Sequence, residues 1–387
     1  MGERAMDRCI SSFGRFAPTL AILYLALLFL LLLYPFNFSW PHTSSENSVV
    51  WPNAAPGAQF GKSGMLISAE PPAGLYRRLT SGDGLTVELW LRPASPDNKG
   101  TGRIVSYSLN RWERNLALVQ QGRDFLIRMR TTKTDASGLP SIRVADVFVR
   151  EKTQHIVVTY DFTKLRVHVD GRMRVESVIP QGTFENWDPS YVLVFGNEAT
   201  GGKPWGGTIA YAAIYEKPLS DTAIVSRHEA GHRSSDTPTT PGLLLAYNFA
   251  HGMQGLTSGR GTISTISPMP PLLKPARVNT YANLFFSSFD GKMLLGQFTA
   301  WDLVRNVILF VPFGFFVFAF AGRRYPSSWS AVLLTVIVAS LVSAAFEALQ
   351  FFLYARTSSI FDFGANTIGA LVGAICCFCW FRLCRVR

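Results

Sequence analysis

Four long apolar runs, one near the start of the chain and three in its last quarter, constrain this sequence more than any other feature. A helix needs about 20 largely apolar residues to cross a bilayer, and residues 17–36, 303–321, 329–353 and 364–381 meet or approach that length. Residues 17–34 and the run Ala331–Phe346 contain no charged side chain. Between the first run and the second lies a long polar stretch with Gly, Pro, Asp and Arg throughout. Such a stretch cannot satisfy its backbone in hydrocarbon, so it is expected to fold outside the bilayer. The 387 residues accommodate two domains of this kind.

The first run follows Arg4, Arg8 and Arg15, as a signal peptide would, but no small-x-small cleavage site comes after it. Tyr-Pro-Phe-Asn-Phe-Ser-Trp (34–40) places Tyr34, Phe36, Phe38 and Trp40 there instead, and aromatic rings collect at membrane–water interfaces. An uncleaved anchor is the expectation. Loops on the cytoplasmic side carry the excess Lys and Arg. With four helices, Arg4, Arg8, Arg15, Arg323, Arg324, Arg382, Arg385 and Arg387 all fall on one side, against Arg305 and Arg356 on the other. This puts both termini in the cytoplasm and residues 37–300 outside. The expected order is a tail (1–16), helices at 17–36, 302–321, 329–354 and 364–382, an outer domain at 45–275 and a linker or interfacial segment at 276–301.

A net charge of +11 raises the question of nucleic acid. Residues 37–300 hold 27 Lys and Arg against 21 Asp and Glu, spread singly rather than in blocks. A mildly basic surface beside an anionic membrane or acidic envelope polymer fits this pattern, and no nucleic-acid partner is expected. All five cysteines (Cys9, Cys376, Cys377, Cys379, Cys384) lie outside that stretch, which therefore has no disulfide staple. The Cys376–Cys384 group sits in an apolar helix with no His nearby, so no metal site is assigned.

From Leu85 the outer domain reads Leu-Thr-Val-Glu-Leu-Trp-Leu-Arg-Pro, the period-2 alternation of a half-buried strand. Strands are also expected at 156–161, 165–171, 191–196 and 207–215, with Asp170-Gly171 forming a tight turn into Arg-Met-Arg-Val-Glu-Ser. Many short strands between Gly, Asp, Asn and Pro turns imply an antiparallel sandwich. The segments Glu-Leu-Trp-Leu-Arg-Pro (88–93), His-Ile-Val-Val-Thr-Tyr-Asp (155–161), Leu-Arg-Val-His-Val-Asp-Gly-Arg (165–172) and 205–220 resemble the laminin-G/concanavalin A-like jelly-roll superfamily over about residues 50–250. Members bind sugars or proteins, hydrolyse glucans or act as spacers, and the resemblance leaves a calcium site open without assigning ligands. The paired glutamates around an aspartate that the glucanase members carry on one strand are absent, which argues against a glycosidase. For sugar binding, Trp112, Trp187 and Trp205 offer rings for stacking, with Asn197 and Glu198 as hydrogen-bond partners. The alternative is that these Trp pack in the sandwich core or its rim.

Seven polar residues stand at or near the ends of the three C-terminal runs: Asp302, Asn306, Glu347, Gln350, Arg356, Asp362 and Asn366. Intramembrane carboxylates mark functional sites by default. Asp302 and Asn306 are i and i+4, Glu347 and Gln350 i and i+3, Asp362 and Asn366 i and i+4, so each pair shares a helix face. The topology above sets all six at one depth near the outer surface, with Arg356 in the loop between helices three and four. Asp302 and Asp362 also suit helix N-caps. Glu347 does not, because it lies one to two turns inside its helix; Arg356 is its expected partner.

This part resembles the VanZ-like family, through Tyr-Pro-Phe (34–36), Asp-Leu-Val-Arg-Asn-Val-Ile-Leu-Phe-Val-Pro-Phe-Gly (302–314), Phe-Glu-Ala-Leu-Gln-Phe-Phe (346–352) and residues 356–373. The family is associated with glycopeptide-antibiotic resistance of the teicoplanin type. The resemblance implies a multi-pass bacterial cytoplasmic-membrane protein: four transmembrane α-helices with an all-β concanavalin A-like sandwich inserted between helices 1 and 2. Its partners would be the lipid bilayer and an envelope glycan or extracytoplasmic protein, and no cofactor is called for. A membrane-embedded enzyme using Glu347 as acid or base is the rival reading, though nucleophile and metal ligands are missing; a scaffold or adhesion protein is the third.

Overall fold

The computed structural model describes residues 2–34, 36, 38, 44–52, 56–95, 100–148, 152–231, 241–253, 256, 270–279, 300–322, 329–353 and 358–386, with backbone alone for 2–14, 300–302 and 384–386. The chain divides into two compact units, His42–Ala282 and a second built from Met1–Pro41 with Asn283–Arg387.

The first unit is a sandwich of two seven-stranded antiparallel sheets among the described residues, with a two-stranded ribbon of β1 (Ser44–Glu46) and β16 (Arg277–Asn279) and a short helix α2 (Ala73–Ser81). One sheet runs β11 (Arg172–Ser177), β10 (Leu165–Val169), β9 (Gln154–Tyr160), β4 (Leu85–Pro93), β13 (Gly207–Tyr215) and β14 (Leu243–Asn248), with β2 (Ala58–Phe60) also paired to β13. The other runs β15 (Leu272–Leu273), β3 (Leu66–Ser68), β12 (Val192–Phe195), β5 (Thr101–Ser108), β6 (Arg114–Gln121), β7 (Asp124–Met129) and β8 (Ile142–Val144). Neighbours such as β4 and β13, or β5 and β12, are far apart in sequence, the crossing pattern of a jelly roll. Val87, Leu89 and Leu91 of β4 meet Ile156, Val158, Leu116, Leu118, Leu193 and Phe195 in the core between the sheets. Asp170 and Gly171 both take positive φ, 52° and 75°, the conformation that a two-residue hairpin turn demands.

The strand at Leu85 is not half-buried. Its other face, with Thr86, Glu88 and Trp90, is also buried. The cause is α3 (Asp221–Ala230), which starts at a Ser220 cap accepting from the Ala223 N–H and lays Arg227 and His228 against that face. An alternating pattern read alone cannot tell solvent from a covering helix whose inward side chains are polar.

Among the described residues, the second unit holds four helices long and apolar enough to cross a membrane: α1 (Gly2–Leu33), α4 (Ala300–Ala321), α5 (Trp329–Phe351) and α6 (Ile360–Val386). One precedes the sandwich in sequence and three follow it. Helix α1 continues back through the stretch read as a tail, and α6 begins four residues earlier than the sequence suggested. Ser359 explains the early start, because its hydroxyl oxygen accepts from the N–H groups of Phe361 and Asp362 at 3.2 and 3.4 Å. Leu28 and Leu33, Phe310 and Phe313, Ala339 and Phe346, and Ala370 bring all four helices into one apolar cluster. Helices α4 and α6 cross backbone to backbone at Gly314, Gly369 and Gly373. A Cβ at Gly373 would stand 2.8 Å from Phe315 N and 2.9 Å from the Val311 carbonyl carbon, so the small residues set the approach.

Candidate functional site

In the helical unit, the end of the bundle is defined by contacts from three directions. Phe38, just after α1, bridges to Leu353 after α5. The Gln350 side-chain amide donates to Leu32 O at 3.3 Å, tying the last turns of α1 and α5 together. Asn306, in the second turn of α4, donates from Nδ2 to Asp362 Oδ1 at 2.7 Å, joining the starts of α4 and α6. Asn306, Glu347, Gln350 and Asn366 are all buried.

Glu347 is 1 % exposed. Its Oε2 accepts the Ser359 N–H at 2.7 Å, and the Ser358 side chain bonds the same carboxyl. A buried carboxyl left without hydrogen-bond partners is costly, and these two bonds supply them. The N-terminus of α6 is therefore the group that accommodates Glu347 among the described residues. Arg356, the partner expected from sequence, lies outside those residues, as does the side chain of Asp302. Asp362 does not cap α6: Ser359 does, and Asp362 in the first turn reaches across to Asn306. Asn366 donates to Ser343 Oγ at 3.0 Å, while its Oδ1 is buried with no partner among the described residues. Below them Ser340 and Thr367 approach to 3.3 Å.

Sequence reasoning missed Ser343, Ser358 and Ser359. A signal for the last was present: Ser359 with Asp362 three residues on, ahead of an apolar run, is a capping-box pattern.

The sandwich corrects the glycan-binding set. Trp187 and Trp205 are core residues, 3 % and 1 % exposed. Each spends its indole N–H inside the fold, on Arg130 O at 2.5 Å and on Gln120 Oε1 at 2.6 Å, so neither ring is free to stack on a sugar. Asn197 and Glu198 are buried loop formers. Asn197 Oδ1 accepts from the N–H groups of Glu198 and Lys203, and Glu198 accepts from Thr200 N, Thr200 Oγ1 and Gly202 N. Trp112 alone of the three Trp is half-buried, with the Arg111 guanidinium 4.3 Å above its ring.

Beneath α3 lies a buried network that alternation alone did not reveal. Glu88 accepts from Tyr215 Oη and Arg227 Nε at 2.7 Å each, and His155 Nε2 stands 3.0 Å away. Trp90 stacks on His155 and His228, with ring centroids 4.5 and 5.7 Å away. Burial by itself raises Glu88, yet the bonds from His155 and Tyr215 and the charge of Arg227 outweigh it and hold the carboxyl below its usual range. Glu88 and His155 are fully buried at its centre while Arg227 and His228 are partly exposed at its edge, and the network pins α3 to the sheet.

Residues 250–382 match the VanZ/LLP1 family model, and residues 69–225 match that of the concanavalin A-like lectin/glucanases superfamily. The chain thus carries a VanZ-like segment over its C-terminal helices and a concanavalin A-like domain over much of the sandwich. No curated protein sequence matches it. Among solved structures, the chain is similar to one from Bacteroides ovatus named as a candidate carbohydrate binding protein, at 16 % identity and TM-score 0.36, over 54 % of this chain and 52 % of that one. It is also similar to the binding domain of Botulinum neurotoxin DC in complex with rat synaptotagmin II, at 12 %, 0.38, 49 % and 46 %. A third is the Ruminococcus gnavus IT-sialidase CBM40 bound to α2,3 sialyllactose, at 13 %, 0.35, 48 % and 98 %. The chain spans about half the length of the first two. At these scores the likeness fixes neither ligand nor partner.

Proposed function

We propose that this chain is a multi-pass cytoplasmic-membrane protein whose outward-facing sandwich binds a cell-envelope glycan, and whose helical bundle offers a polar outer-leaflet layer to an envelope precursor or lipid headgroup. The observation that carries the reading is the pairing, in one chain, of a VanZ-type match over apolar helices with a concanavalin A-type match over a sandwich. The arginine bias of the loops supports cytoplasmic termini and an outward sandwich. In the bundle, Glu347 is the charged centre, with Asn306, Gln350, Asp362 and Asn366 as orienting partners; Arg356 is its counter-ion or an anion contact, and Asp302 completes the rim.

A scaffold role is favoured by one observation: the Asn306–Asp362 and Asn366–Ser343 bonds each link two helices and so explain those residues as packing. Glu347→Gln and Glu347→Ala separate the readings, measured as complementation of the phenotype of a deletion strain, with teicoplanin susceptibility as the first readout. The layer hypothesis requires loss in Glu347→Ala at normal membrane abundance. Full function of both variants sinks it, and full function of Gln alone excludes acid–base chemistry.

A further inference from the structure

The sheet of β5, β6 and β7 turns Leu118 and Ile127 to the core and Ala117, Ser106 and Arg128 to the opposite face. On that second face Arg103 and Arg114 are 3 % and 1 % exposed, while Arg128 is half-buried beside them. Arg114 is built in: it donates from Nη1 to Ser137 O at 2.5 Å and from Nη2 to Arg111 O. Arg103 is not. Its Nε and Nη1, and Nε of Arg128, are buried with no hydrogen-bond partner among the described residues.

Among the described residues, the carboxylates near this cluster form no hydrogen-bonded ion pair with Arg103 or Arg128. Glu198 acts on Arg103 and Arg114 through its charge, but its oxygens are taken by Thr200 and Gly202. Asp135 acts on Arg114 and Arg128 through its charge, but it turns Oδ1 to Ser137 and Leu139, and its Oδ2 has no hydrogen bond. Lys203 adds a further cation at the half-buried edge. Burial, then the neighbouring Arg128, bring Arg103 down to about 9, and burial, then Arg103 and Arg111, bring Lys203 to about 8. Cations crowded out of water without paired anions are destabilising, and the orphaned N–H groups add to the cost.

We propose that this face is a binding site for the anionic group of an acidic saccharide, a carboxylate or a phosphate, held by Arg103 and Arg128 with Lys203 at the entrance. The forked N–H groups of arginine match both anions. Trp112, packed beneath Arg111, offers a ring to the sugar that carries the charge. The inference rests on the glycan reading above and narrows it to acidic ligands.

The full chain in lipid nanodiscs is titrated with an oligogalacturonate, a glycerol-phosphate oligomer and a neutral oligogalactoside, reading affinity and the sandwich's melting temperature. The acidic probes are expected to bind, more weakly as salt rises, and the neutral one not; whichever acidic probe binds tighter identifies carboxylate or phosphate as the source. Arg103→Met is expected to weaken acidic binding about tenfold or more while leaving the unliganded domain as stable or more so, since an apolar residue replaces an unpaired charge. A residue serving structure alone would do the opposite. Arg128→Gln, at a half-buried position, provides the same binding readout if Arg103→Met fails to fold. Unchanged acidic binding in the variants, or equal binding of neutral and acidic probes, overturns the site. Neutral binding that both variants retain does so while leaving the glycan reading intact; no binding of any saccharide sinks both.

Discussion

The crossing of α4 and α6 yields the sharpest stability test in the molecule. Two glycines on α6 face opposite situations: Gly373 lies against the Val311 carbonyl and Phe315 N, whereas a Cβ at Gly364 would meet nothing within 4 Å. Replacing either by Ala gains about 1 kcal/mol of helix propensity. At Gly373 the new methyl would fall about 0.5 Å or more inside ordinary contact with backbone atoms, which cannot rotate away as a side chain can. The helices must separate, at an overpacking cost of about 1–3 kcal/mol. The propensity gain cancels between the variants, so Gly373→Ala should be less stable than Gly364→Ala by that same 1–3 kcal/mol. The assay is loss of helical circular dichroism on titrating the detergent-solubilised full chain with SDS, with proteolysis locating the change in the bundle. Equal stability of the two variants, within about 0.5 kcal/mol, would refute the close crossing.

Other expectations follow from the same structure. Glu88 is held below the usual carboxylate range by His155, Tyr215 and Arg227 despite its burial. A depressed carboxylate stabilises fully above its unfolded value and loses that contribution as pH falls through the folded one. The sandwich's melting temperature should therefore drop more steeply for wild type than for Glu88→Gln between about pH 4.5 and pH 2, and parallel curves would contradict the network. At neutral pH, Glu88→Gln should cost about 3 kcal/mol, because Arg227 keeps its charge but loses the carboxylate that balances it. Trp205→Ala and Trp187→Ala should each cost about 3–5 kcal/mol in thermal unfolding, against about 1 kcal/mol or less for Trp112→Ala. Ser359→Ala should cost about 1 kcal/mol through the lost cap of α6, read by the SDS titration above; no change would mean that the cap is not formed.

Some of this was legible in the sequence and some was not, for identifiable reasons. The apolar runs announced four helices because length and hydropathy are local properties. Strands β9, β10 and β13 announced themselves by alternation and by the Asp170-Gly171 turn. Strands β5 to β7 did not, since their apolar runs are interrupted by Arg103, Arg114 and Arg128, which look like surface residues. Glu88 read as solvent-facing for the same reason. Trp187 and Trp205 illustrate the converse error: an indole in a loop-rich stretch can stack on a ligand or fill a core, and only the position of Gln120 and of the Arg130 carbonyl decides. In the bundle, i and i+4 spacing brought Asp362 and Asn366 to one face, yet the actual partners, Asn306 and Ser343, come from two different helices. Such pairings depend on helix rotation, which spacing within one helix does not report.

The central claim is that the sandwich engages envelope glycan. The full chain in detergent, applied to an array of bacterial envelope saccharides, tests it directly. Selective retention on one saccharide class, reduced by Arg103→Met, is the expected result. Silence across the array, with a protein partner recovered from envelope extracts in its place, would contradict it.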